Sequence, residues 1–149
     1  MPIDCDLPAG ECLFDLGLIQ ALEHKWLASQ RYGEDLGMLL VRDWCQRHWR
    51  TFQRFRRIEH LFGEHRYHQF SVESFGVWKG RVRVEGSPFD MILGVFVCGM
   101  ENLQFGNWSR QHRLPKEESF ALFAVLDPNC VRLDQSLILQ RAKERLVSA

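Results

Sequence analysis

Arginine is the most concentrated chemical resource of this chain. Within RDWCQRHWRTFQRFRRIEHLF, residues 42–62, Arg42, Arg47, Arg50, Arg54 and Arg57 recur at helical spacing. They share the face opposite Val41, Trp44, Cys45, His48, Phe52, Phe55 and Phe62. A guanidinium presents five N–H donors in a planar fork, so a row of them holds carboxylates or phosphates. A helix that buries aromatics and shows arginines is expected to bind something anionic: an acidic protein partner, nucleic-acid phosphates or a membrane surface. The aromatic stripe is needed to hold the helix to its own core, which removes the membrane. A formal net charge of zero places a protein partner ahead of nucleic acid, whose binders are usually basic.

A second cluster lies in residues 101–118, ENLQFGNWSRQHRLPKEE, which reads as the longest connection between elements. Trp108, Arg110, His112 and Arg113 sit there and extend the expected partner surface. His112 between two arginines also has the chemistry of an acid–base group, and His48 that of a buried base. Either would suit an alternative in which the domain encloses a small-molecule pocket. His60, Glu64, His65 and His68 are metal-ligand types, but they straddle Gly63, where a helix should stop, and lack the His-Glu-x-x-His order. No metal or other cofactor is expected. No nucleophile elbow, GxGxxG or Walker loop is present, and Asp90 after Pro88-Phe89 lacks the later Glu-x-Lys of a nuclease. No catalytic residue is assigned. The expectation is a non-enzymatic adaptor, assembly factor or inhibitor.

The elements that must position these residues follow from periodicity. A chain of 149 residues is the size of one domain. Residues 1–12 read as an irregular arm broken by Pro2, Pro8 and Gly10. A helix over 15–30 carries Ile19, Leu22 and Trp26 as its apolar stripe and stops at Gly33. A second helix begins near Glu34 and Asp35 and runs to Phe62, forming an antiparallel hairpin with the first. At 1.5 Å per residue it would span roughly 42 Å. It must break near Gly37, project, or pack against a second copy, which opens a homodimer. Projection makes Arg50 to Arg57 the best-placed cations.

Strand signals come next. Phe70, Val72 and Ser74 alternate with polar residues, as do Val82 and Val84 with Arg81, Arg83 and Glu85. FDMILGVFVCGM (89–100) and SFALFAVL (119–126) are apolar on both faces and read as central strands. Asp134 caps a last helix to about Val147, with Ile138, Ala142 and Leu146 inward. The predicted fold is α+β: a helix hairpin, an antiparallel sheet of four or five strands and a C-terminal helix. The stretch HKWLASQRYGEDLG, 24–37, resembles a helix-turn-helix segment of bacterial proteins of unknown function, a resemblance that implies no chemistry.

Charge is uneven along the chain. Residues 1–41 carry seven acids against two bases, and residues 42–68 seven arginines against three acids. The arginine face is therefore either free for a partner or paired with the acidic N-terminal third. Five scattered cysteines without Cys-x-x-Cys spacing argue against a disulfide scaffold. With no signal-peptide pattern and no apolar run near 20 residues, the protein is expected to be cytoplasmic.

Overall fold

A computed structural model describes residues 9–148; most of the predicted arm, with Cys5, lies outside the described residues. Six α-helices follow one another: α1 Leu13–Tyr32, α2 Met38–Leu61, α3 Pro88–Val97, α4 Asn102–Gln111, α5 Lys116–Leu126 and α6 Ser136–Ser148. Short 3-10 turns occupy Val72–Ser74 and Pro128–Val131. Among the described residues there is no strand, and β pairing is confined to one bridge between Glu11 and Tyr67. The predicted sheet, and the α+β class with it, is overturned by an all-helical chain.

The reason lies at the helix ends. For a short run that is apolar on both faces, period alone cannot separate a buried strand from a buried helix. At α3, Ser87 Oγ accepts the Asp90 N–H at 3.2 Å and Pro88 fills the first turn. At α4, Glu101 and Gln104 form a reciprocal capping box, so most of the long connection of 101–118 is helical, as α4 and the first turn of α5. At α5, Glu117 and Glu118 occupy the first turn after Pro115, against the positive end of the helix dipole. Val72 falls in a 3-10 turn, and Val82 and Val84 lie in an exposed irregular segment.

The predicted hairpin of α1 and α2 is present, with Gly33 at φ 78° ending α1. The start of α2 is later than expected. Asp35 is spent in the connection, accepting the Gly37 N–H at 2.9 Å and pairing with Lys25 at 2.9 Å. The stripe of α1 is also turned relative to the prediction. Leu13, Gly17, Leu18 and Ala21 face inward, whereas Ile19 and Trp26 are exposed. A Cβ on Gly17 would stand 2.8 Å from both Trp49 Cζ3 and Ile138 Cδ1. The smallest side chains of α1 thus mark where α2 and α6 press against it, and close packing there outweighs burial of a larger stripe.

α2 is the axis of the molecule. Its 24 residues span about 36 Å at 1.5 Å each, yet it does not project. α1 covers it on one side; α3, α5, α6 and the Pro128–Val131 turn cover it on others. Ile138 and Ala142 of α6 are fully buried as expected, and Asp134 accepts the Ser136 N–H at 3.0 Å. Residues 62–87 wrap the end of α2 without an α-helix of their own. Trp78 is packed between Phe62 and Phe89, and its backbone N–H donates to Leu61 O at 2.8 Å. No described helix is long and apolar enough to cross a membrane.

Candidate functional site

The five arginines of α2 do not form one exposed row. Arg42, Arg47 and Arg50 are exposed, while Arg54 (0 % exposed) and Arg57 (5 %) are buried. There the arginine face of α2 meets α3 and α5, whose residues read as central strands in the sequence.

Each buried arginine closes the carboxyl end of another helix. Arg54 Nη1 donates to Phe96 O at 2.7 Å and Met100 O at 2.8 Å, at the end of α3. Its Nη2 reaches Glu101 Oε1 at 3.1 Å, and the guanidinium lies 4.6 Å from the Phe96 ring centroid. Arg57 Nη2 donates to Val125 O at 2.8 Å and Nε to Leu126 O at 3.2 Å, at the end of α5. The last carbonyls of a helix lack intrahelical donors and carry its negative dipole end, so a guanidinium fork satisfies both needs. Burial lowers the proton affinity of both guanidiniums, and nearby Glu101 partly offsets this for Arg54. Glu101 also pairs with Arg50 and Arg132. Burial works against its charge, but the Arg132 hydrogen bond and the Arg54 charge prevail and hold its carboxyl below the usual range.

No described acid of the N-terminal third pairs with an arginine of α2. Asp15 pairs with Arg141, Asp35 with Lys25, and Arg47 lies 3.5 Å from Asp43 on its own helix. The counter-charges come instead from Asp43, Glu59 and Glu101, while helix-end carbonyls take up the buried N–H groups.

The histidines do not converge. His60 is buried, whereas His65 and His68 are exposed, and no described group of His, Cys, Asp or Glu could hold a metal. His60 Nδ1 accepts the Tyr67 N–H at 3.2 Å, which leaves Nε2 protonated and donating to Ser71 O at 3.0 Å. Ser74 Oγ lies 3.2 Å from that same Nε2, a contact with the outline of a nucleophile–base pair. The tautomer is the wrong one for it: Nε2 has no lone pair to take a proton, and the Ser74 hydroxyl donates to Ser71 O at 2.8 Å. Burial lowers the proton affinity of His60. It acts as a structural donor.

The 101–118 residues divide differently. His112 Nδ1 donates to Trp108 O at 2.8 Å, and the two rings lie 4.7 Å apart against Phe105, finishing α4. Arg110 and Arg113 instead reach a cleft of about 310 Å³ between α4 and α5, shared with Lys116, Leu114 and Phe120. Arg113 takes a left-handed φ of 53° as the chain turns into α5. Neither arginine nor Lys116 has an ion pair among the described residues, although Glu117 and Glu118 follow directly. Lys116 and Phe120 were not foreseen. Their signal was the i, i+4 spacing after Pro115, together with Gly106, Ser109, Arg110 and Arg113 at i, i+3, i+4 and i+7.

His48 is exposed, not buried, and lines an open groove of about 410 Å³ between α1 and α2 with His24, Leu27, Trp44, Phe52 and Phe55. His24 Nε2 is 3.0 Å from Asp43 Oδ2, which ties the two helices beside the groove. The chain matches no known family model, no curated protein and no solved structure.

Proposed function

We propose that the protein is a non-enzymatic binding module that takes the carboxylates of an acidic protein partner in the α4–α5 cleft. One observation carries this reading: Arg110, Arg113 and Lys116 converge on a partly apolar cleft without a described counter-ion. Arg50, Arg54 and Arg132, by contrast, are occupied by Glu101. A carboxylate entering the cleft would gain charge-assisted hydrogen bonds, each contributing roughly 1.5–3 kcal/mol, beside the half-exposed Phe120 ring. The reading includes a reducing, cytoplasmic setting, which the free thiols of Cys12, Cys45, Cys98 and Cys130 suit.

The test is fluorescence polarisation with a peptide of alternating Asp, Glu and Leu. The double substitution R110E/R113E should abolish binding while shifting the thermal melt little, because both side chains are exposed. Undiminished peptide binding would sink the proposal. Preference for a random oligonucleotide, with affinity falling steeply as salt rises, would replace the acidic protein by nucleic acid. A second reading rests on the α1–α2 groove, where His48, Trp44 and Phe55 could take an aromatic small molecule. A thermal-shift screen of aromatic heterocycles tests it, and no shift in wild type that F55A removes would dispose of it.

A further inference from the structure

The segment Gly80-Arg81-Val82-Arg83-Val84-Glu85-Gly86 is exposed along its whole length. Between the Arg81 N–H, which donates to Trp78 O at 2.9 Å, and the Val84 carbonyl, which accepts from Ser87 N at 3.0 Å, the backbone bonds to no other described group. The amides of Val82, Arg83, Val84 and Glu85 are thus open to an incoming acceptor. The side chains alternate as in a strand. Arg81 lies 4.2 Å over the Phe89 ring and Arg83 pairs with Asp90, so both turn to the body. Val82 (74 % exposed) and Val84 (58 %) turn outward.

We propose that this segment pairs with the same segment of a second copy, as a short antiparallel ladder across a two-fold axis at Arg83. The sequence is self-complementary about that residue. Antiparallel pairing with Arg83 opposite Arg83 sets Val82 against Val84 twice, each pair exchanging both of its N–H···O bonds, and brings Glu85, which opens the Val84–Ser87 turn, beside Arg81 of the other copy twice. The two central arginines keep their own counter-ions, because each is held by Asp90 of its own copy. A basic or an acidic strand from elsewhere would satisfy only one of the two cross-strand charge pairs. A second copy satisfies both. The surface involved contains neither the α4–α5 cleft nor the α1–α2 groove.

A ladder this short forms a weak, concentration-dependent dimer. Sedimentation of the full chain from about 10 µM to about 1 mM should show a rising dimer fraction, with hydrogen exchange of the Val82 and Val84 amides slowing in step while those of Arg83 and Glu85, which point away from the partner strand, do not. V84P removes a central donor and should return the protein to monomer with its helical circular dichroism unchanged. E85R places like charges opposite each other twice and should weaken the dimer roughly 2- to 30-fold, and R81E/E85R should restore it. A protein that stays monomeric across the range, or a dimer that V84P leaves intact, would overturn the proposal.

Discussion

Arg42 and Arg54 stand on the same helix, are the same residue type and fall on the same nominal face. Arg42 is exposed; Arg54 is fully buried, with its guanidinium against Phe96, Met100 and Glu101. The difference is made by what lies beside each half of α2. The first half packs on α1 and leaves its outer side to water. The second half runs between α3 and α5, whose carboxyl ends supply carbonyls that need donors. An arginine row on a helix is therefore not one surface. It is as many surfaces as the helix has neighbours.

The largest effect should come from R54A. It removes the side-chain donor to Met100 O, leaves Phe96 O with the Gly99 N–H alone, weakens the Glu101 cluster and opens a cavity, at a cost of about 3–5 kcal/mol in chemical denaturation. R57A removes the closure of α5 and should cost about 2–4 kcal/mol. If either variant melted like wild type, the division of α2 into a buried and a solvated half would fail. G17A tests the packing beside the solvated half. Its methyl meets Trp49 and Ile138, so a loss of about 1–3 kcal/mol is expected.

Acid should unravel the buried half first. Burial holds His60 below its ordinary value of 6.5, so the unfolded chain takes up that proton at a higher pH than the folded one. This stability is whole above pH 6.5 and declines as pH falls below it. Glu101, held below its ordinary 4.5, adds a loss that begins lower, as pH falls through that value. Urea melts from pH 7 to about 2.5 should show both steps, and H60Q should flatten the upper one alone. The smallest effects belong to R42A and R47A, which should stay within about 0.5 kcal/mol of wild type.

Much of the helical frame was legible. Gly33 and Gly63 both take positive φ, at 78° and 76°, and bound the hairpin as their positions suggested. Asp134 caps α6, and Ile138 and Ala142 are core residues. The apolar runs of α3 and α5 misled because a run without polar positions has no period to read. The cap of α3, Ser87-Pro88-Phe89-Asp90, and the acidic first turn of α5, Glu117-Glu118 after Pro115, held the answer locally. The cleft was half legible: Arg110 and Arg113 were singled out, but Lys116 and Phe120 join them only once 116–126 is a helix.

By itself, then, the sequence determined where helices stop, which residues cap them and that cations crowd one helix. These are local properties, set by backbone φ and by side chains within four residues. Only the tertiary structure decided which arginines face water. That depends on carbonyls 42 to 69 residues away in the chain, brought to Arg54 and Arg57 by the packing of α3 and α5 on α2. The same guanidinium chemistry that would bind an anionic partner is spent there on the protein's own helix ends, whereas Arg110, Arg113 and Lys116 at the α4–α5 cleft have no described ion pair.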